Sequence, residues 1–159
     1  MKKIIYILLS LSLLFIIGCD NIKSNNKKDD IKGDYEIGET FSFMNLEVTI
    51  ENVEKILTID KELSNDHGKE VLKVPIKVTN KSDKPDHLSM FFYKMYNPKG
   101  EEIISKGSYY DDSIDFAPDL EPNESYKKYL YIPYEENGNY TLEFNNLSKK
   151  IKIILNINK

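Results

Sequence analysis

The sequence predicts an all-β fold, an Ig-like antiparallel β-sandwich of about seven or eight strands, over residues 35–159. Three observations predict it. Apolar residues recur at every second position in short runs, turn signals separate those runs, and no helical face of ten or more residues occurs after the N-terminal leader.

The first two strands lie in "FSFMNLEVTIENV", where Phe41 and Phe43, then Leu46, Val48 and Ile50, alternate with polar residues around a turn or bulge at Asn45. "EVLKVPIKVTN" repeats the alternation. Leu72, Val74, Ile76 and Val78 share one face, Lys73, Lys77 and Thr79 the other, and Pro75 falls outward. A proline removes a ladder donor, so an edge or bulged strand is expected there. "LSMFFYKMYNPKGEEI" reads as an aromatic strand followed by a type I turn with proline second and glycine fourth, hence a hairpin. Residues 105–125, rich in Asp, Pro and Ser, read as a long crossing loop with one short strand at most. "SYKKYLYIPY" is the next strand. "EENGNY" carries an Asn-Gly hairpin signal at Asn137-Gly138, and "YTLEFNN" points Tyr140, Leu142 and Phe144 inward. The last strand alternates Ile151, Ile153, Leu155 and Ile157.

Residues 1–18 have the form of an export signal. Met1-Lys2-Lys3 is cationic and Ile4 to Ile17 is an apolar run, too short for the roughly 20 residues that a spanning helix needs. Ile16-Ile17-Gly18-Cys19 has branched aliphatics where an ordinary secretory cleavage site has small residues, and it resembles a bacterial lipobox. The resemblance implies cleavage between Gly18 and Cys19 and a diacylglyceryl lipid on the Cys19 sulfur, a membrane anchor on the extracytoplasmic face. Cys19 is the single cysteine of the chain, so it forms no internal disulfide, and it precedes any folded region. Residues 19–34 then read as the lipidated cysteine and a flexible tether, too polar to bury a core.

Composition narrows the partners. All 22 basic residues are lysine and the net charge is -4, which becomes -6 once Lys2 and Lys3 are removed with the leader. Nucleic acid requires a basic stripe, preferably with bidentate arginine, so that class is excluded.

Four segments in order, "YEIGETFSFMNLEVTIENVEK", "KVPIKVTNKSDKP", "KMYNPKGEEI" and "LEPNESYKKYLYIPYEENGNYTLEF", resemble a family of Gram-positive lipoproteins with an Ig-like domain of unknown function, related to the immunoprotective extracellular antigens. The most specific parts are the "IGET" opening strand, V-x-N-x-S-D-K-P and the L-x-P-x-E turn. Where the family has Pro-Gly-Glu, this chain has Pro122-Asn123-Glu124. Asparagine tolerates the left-handed backbone, so the turn is expected to survive. The resemblance implies a fold and an address, and no activity.

Chemistry-bearing residues are sparse. His67 and His87 fall in turn-rich loops. His87 with Met90 and Met95 invites a copper reading, but residues three apart on a strand face opposite ways. The cluster "YYDDSIDFAPDLE" places Tyr109, Tyr110, Asp111, Asp112 and Asp115 in one loop, which makes it the candidate ligand loop, although EF-hand spacing is missing. Tyr93, Tyr126, Tyr129 and Tyr131 join Tyr109 and Tyr110 as a set that could stack on a sugar polymer, although tyrosine also fills half-buried strand positions and core or edge packing is the favoured reading. There is no G-x-S-x-G elbow, phosphate-binding glycine loop or H-E-x-x-H. The expectation is a non-enzymatic, lipid-anchored binding module at the cell membrane, needing no cofactor and contacting a protein or envelope polymer. The alternative is a small-ligand or metal-binding lipoprotein using residues 105–125.

Overall fold

The structure is a computed structural model and describes residues 33–158. The leader, Gly18, Cys19 and the tether up to residue 32 lie outside the described residues; Asp34, expected at the end of the tether, belongs instead to the first strand, where it pairs with Lys152.

Two five-stranded sheets face each other. One runs β1 (Asp34–Tyr35), β10 (Lys150–Ile157), β9 (Gly138–Asn145), β6 (Tyr93–Tyr96) and β7 (Glu102–Ile103), with β1 parallel to β10 and the other pairs antiparallel. The other is built around the eleven-residue β5 (Glu70–Asn80). β8 (Ser125–Pro133) pairs along one edge of β5. The other edge is shared by β3 (Leu46–Ile50) and β4 (Lys55–Thr58), and β2 (Thr40–Phe43) lies outside β3. The alternating residues meet between the sheets. In β10 every second residue is buried, and the ring of Phe144 lies 5.2, 5.8 and 5.9 Å from those of Phe41, Phe43 and Tyr93. The strand count exceeds the expectation because β1 is two residues long and β4 buries neither face completely, so neither carries a period.

Pro75 does not mark an edge. β5 is the central strand, and the proline is accommodated because β3 ends opposite Ile76 while β4 begins opposite Lys73. The Pro75 carbonyl accepts from Glu51 N–H at 3.0 Å. An antiparallel residue directs its N and C=O to the same side, so the missing donor faces this break in the ladder.

Asn137-Gly138 is not a hairpin either. β8 and β9 belong to different sheets, and the segment between them is the corner by which the chain changes sheet. Tyr140 holds that corner. Its buried hydroxyl accepts from Glu135 N–H (3.0 Å) and Glu136 N–H (3.3 Å) and donates to the Glu136 carbonyl (3.0 Å), the tyrosine corner of Ig-type sandwiches. Gly138, at φ 144°, passes so close to the Asn97–Gly100 turn that a Cβ would lie 2.8 Å from Pro98 Cβ.

The family-like segments are structural. "IGET" is a turn leading into β2 rather than a strand: Gly38 is at φ 85° and the Glu39 carboxylate accepts from Glu36 N–H at 2.7 Å. Asn80, fully buried, donates to the carbonyls of Lys84 (2.7 Å) and Leu120 (2.8 Å) and accepts from Ser82. One side chain thereby joins V-x-N-x-S-D-K-P to L-x-P-x-E. Asn123 takes φ 66° with Glu124 N–H donating to the Glu121 carbonyl, so the turn keeps its form without glycine.

Candidate functional site

Residues 105–117 are not a slack crossing. They fold over the outer edge and outer face of β8 through two short 3-10 turns, Gly107–Tyr109 and Ile114–Phe116. Lys106 N–H donates to the Tyr131 carbonyl (2.8 Å) and Tyr129 N–H to the Asp112 carbonyl (3.1 Å). The loop therefore occupies an edge that would otherwise offer free strand donors and acceptors. It has to be compact at Gly107, where a Cβ would come within 2.1 Å of Asp115 Oδ2 and Ser113 Oγ.

The loop covers a second, smaller apolar cluster on the outside of the sheet, in which Ile59, Val71 and Tyr131 are buried and Leu57, Tyr109, Tyr110 and Tyr129 pack against them. Tyr110 stacks on Tyr131 with centroids 3.8 Å apart and 8° between the planes. Lys73 Nζ lies 3.7 Å above the Tyr129 ring and 2.8 Å from Asp112 Oδ2, and the Tyr131 hydroxyl donates to Asp112 Oδ1 at 2.5 Å. Burial pushes the Asp112 carboxyl up, but the bonds from Lys73 and Tyr131 outweigh it and leave it below its ordinary value. Burial, reinforced by that carboxylate, drives the Tyr131 phenol far above its ordinary range.

Beside this lies a charged knot. Asp66 accepts from Lys106 Nζ (2.7 Å), Lys69 Nζ (2.8 Å) and Tyr109 OH (3.0 Å), and Tyr109 OH also meets Ser64 Oγ at 2.6 Å. The bonds from Lys106 and then Lys69 hold the Asp66 carboxyl far below the carboxylate range. On the inner side of the loop Asp115 accepts from Tyr93 OH (2.8 Å) and Ser105 Oγ (2.9 Å).

Of the five loop residues singled out from the sequence, four are thus committed to holding the loop: Tyr109 to Asp66 and Ser64, Tyr110 to Tyr131, Asp112 to Lys73 and Tyr131, and Asp115 to Tyr93 and Ser105. Asp111 is exposed. The tyrosines do not form an open stacking platform, since Tyr93 and Tyr131 are buried and Tyr110 and Tyr131 stack on each other. His87 Nδ1 lies 2.9 Å from Asp119 Oδ1 at the surface, while Met90 and Met95 line a cleft that His87 does not, so the three do not converge. Among the described residues no group of three or more His, Cys, Asp or Glu side chains is placed to hold a metal ion.

Open space adjoins the loop on both sides of Ile103 and Ile104. One cleft of about 650 Å³ is walled by Asp66, Lys69, Lys106, Glu102, Glu135 and Tyr134 over a floor that includes Ile59 and Val71. The other, about 490 Å³, is more apolar, with Met90, Met95, Ile104 and Phe116 on its walls. Met90, Ile104 and Phe116 are 51%, 80% and 57% exposed, an apolar rim beside the short edge strand β7. Sequence reasoning missed Lys73, Asp66, Lys106 and these clefts. The one local signal was that "YLYIP" is aromatic on its outward positions too, which implies a cover on that face.

Comparison with known proteins accords with this architecture. Residues 35–153 match the family described as Domain of unknown function (DUF4352). Among solved structures, the yjhA protein of Bacillus subtilis superposes with a TM-score of 0.57 at 13% identity, covering 77% of this chain and 99% of that one. The ycdA protein of Bacillus subtilis subsp. subtilis str. 168, provisionally named a lipoprotein, superposes with a TM-score of 0.57 at 16% identity, covering 74% of this chain. The chain spans only 38% of the length of ycdA. No curated protein matches the chain.

Proposed function

The chain belongs to the DUF4352 family, and from that premise we propose that it is a non-catalytic, lipid-anchored Ig-like interaction module on the extracytoplasmic face of a bacterial membrane. The anchoring part rests on the Gly18-Cys19 lipobox, and the lipoprotein name of ycdA is in keeping with it. Gram-positive origin and kinship with the immunoprotective antigens belong to the same proposal. The covalent lipid is the only attached group it requires, and nucleic acid is not a partner.

The observation that carries the binding role is the apolar rim of Met90, Ile104 and Phe116 beside β7. Exposed apolar clusters on a rigid sandwich are characteristic of contact surfaces, and β7 offers a strand edge next to them. In the acidic loop Asp112 and Asp115 are engaged by Lys73, Tyr131, Tyr93 and Ser105, so in this reading the loop holds the surface rather than supplying its chemistry. A photo-crosslinking residue at position 104 in producing cells tests the reading. Discrete protein or polymer adducts at 104, absent for the same residue at Leu63, are expected. Equal labelling at both positions, or turnover of a hydrolase substrate panel by the purified chain, overturns it.

A second reading has its own observation. The 650 Å³ cleft is within the range of small-ligand sites, and Lys69 and Lys106 beside Asp66 would favour a zwitterionic or anionic compound. Thermal-shift screening checks it, since a ligand at a hundred times its Kd adds about 2.7 kcal/mol.

A further inference from the structure

Large exposed apolar side chains are distributed unequally between the two ends of the sandwich. Register defines the ends. Tyr93 at the start of β6 faces Phe144 near the end of β9, Asn145 faces Lys150 at the start of β10, and Asp34 of β1 faces Lys152. The turn at Met44-Asn45, the turn over 146–149 and the 3-10 turn Met90–Phe92 therefore lie at one end, joined by the Lys149 ammonium on the Ser42 carbonyl and by the Phe43 and Phe92 rings 6.1 Å apart. These turns carry Met44, Met90, Phe91 and Leu147, at 48%, 51%, 89% and 110% exposure. The far end holds the Asn97–Gly100 turn, the Tyr140 corner and the 59–69 loop, where Leu63 is the single large exposed apolar residue among those described.

The apolar end is also where the chain enters the domain, since Lys152 N–H donates to the Gly33 carbonyl at 3.0 Å. Thirteen residues lie between Cys19 and Gly33, so the fourteen Cα steps reach at most about 50 Å fully extended. An anchor at Cys19 thus tethers the domain by its apolar end. We propose that this end lies on the phospholipid surface, with Phe91, Leu147 and Met44 seated at the headgroup boundary and Lys149 beside them at headgroup level. Apolar side chains on a protein face seat at that boundary, and a neighbouring lysine suits anionic lipid. The acidic residues of the same end are Asp34 on β1, Glu47 on β3, where Lys81 pairs with it at 3.1 Å, and Asp83, Asp86, Asp119, Glu121 and Glu124 on the 81–87 and 117–124 loops, with Asp119 against His87 and Glu124 bonded to Glu121 N–H. The apolar turns rather than the whole end make the contact. This orientation rests on the lipid-anchor reading, and it leaves Ile104 and Phe116 on the side of the sandwich, with Met90 where that cleft meets the apolar end.

The chain has no tryptophan, so single Phe91→Trp, Leu147→Trp and Leu63→Trp variants of the full mature protein each report one position. With vesicles of phosphatidylethanolamine and phosphatidylglycerol bearing brominated acyl chains, Trp emission is expected to shift to the blue and be quenched at 91 and 147 and to be unaffected at 63. Quenching at none of the three, or at 63 as strongly as at 91, overturns the orientation; the apolar end would then be free for a protein partner. Flotation of the mature wild-type chain and of a Cys19→Ala chain begun at residue 19, without the apolar leader, reads the anchor separately. Flotation lost in Cys19→Ala, with no quenching at 91 and 147 in the wild type, leaves the anchor standing and overturns only the orientation. Flotation of both, with quenching at 91 and 147, supports the orientation and overturns dependence on the lipid. Flotation of neither overturns both.

Discussion

The domain has two apolar layers that are built differently. The layer between the sheets is almost entirely hydrocarbon, with about two dozen buried side chains from both sheets. The layer outside β8 has three buried members, Ile59, Val71 and Tyr131, and is closed by a loop whose hydrogen bonds and charges do most of the fastening. Hydrophobic burial scales with area and is indifferent to direction. A hydrogen-bonded cover depends on each partner and contributes modestly per bond. The inner layer should therefore set global stability, and the outer layer should behave as a locally opening unit.

The largest expected effect is in the inner layer. Phe144→Ala removes a ring that touches Phe41, Phe43 and Tyr93 and should cost about 3–5 kcal/mol by chemical denaturation. A loss under about 1 kcal/mol would mean that the two sheets are not held by this packing. Next is the corner. Tyr140→Phe leaves the N–H groups of Glu135 and Glu136 without their buried acceptor, a cost of about 1–3 kcal/mol with the core volume unchanged.

Those two predictions differ in how far the sequence disclosed them. The inner layer was legible because the side-chain period of a strand is two, and Leu142, Phe144, Ile151 and Ile153 show it without help from anything distant. The orientation of Tyr140 was legible for the same reason. Its role was not, because Asn-Gly followed by an alternating run is the same signal whether the chain returns to the same sheet or crosses to the other. Pro75 misled because its tolerance depends on where β3 and β4 end, which is a property of other segments. The outer layer was the least legible. Lys73 meets Asp112 across 39 positions, Tyr109 meets Ser64 across 45, and Lys106 meets Asp66 across 40. No window of a single sequence contains such pairs. The loop stands out in the sequence because it is acidic and aromatic, but those residues fasten it, and the open clefts lie to either side.

A smaller effect separates the layers directly. Tyr131→Phe removes the donor to Asp112 and keeps the ring stacked on Tyr110. About 1 kcal/mol is expected, expressed as faster hydrogen exchange at the amides of Tyr129 and Lys106, which bond across the loop. Exchange at Leu142 and Ile153 should stay as in the wild type. Equal acceleration at both sets would show one cooperative unit and dissolve the distinction.

Acid should loosen the same layer without any substitution. Asp66 and Asp112 both have folded-state values below those of the unfolded chain, Asp66 because Lys106 and Lys69 bond to it, Asp112 because Lys73 and Tyr131 outweigh its burial. A depressed carboxyl binds protons less readily folded than unfolded, so its contribution is fully present above the unfolded value of about 3.9. It is lost as pH falls from there through the folded value. Exposure and salt reduce the size of the effect, because Asp112 is 45% exposed, which is why it ranks last. Between pH 6 and pH 3, after correction for intrinsic exchange, protection at Tyr129 and Lys106 should fall more than at Leu142 and Ile153. Asp66→Asn should remove part of that difference, since an amide keeps the shape of the carboxyl but offers Lys69 and Lys106 no charge and does not titrate. If the variant retained the whole difference, the acid response would belong to Asp112 with Lys73, and the charged knot at Asp66 would be a passive surface feature beside the cleft.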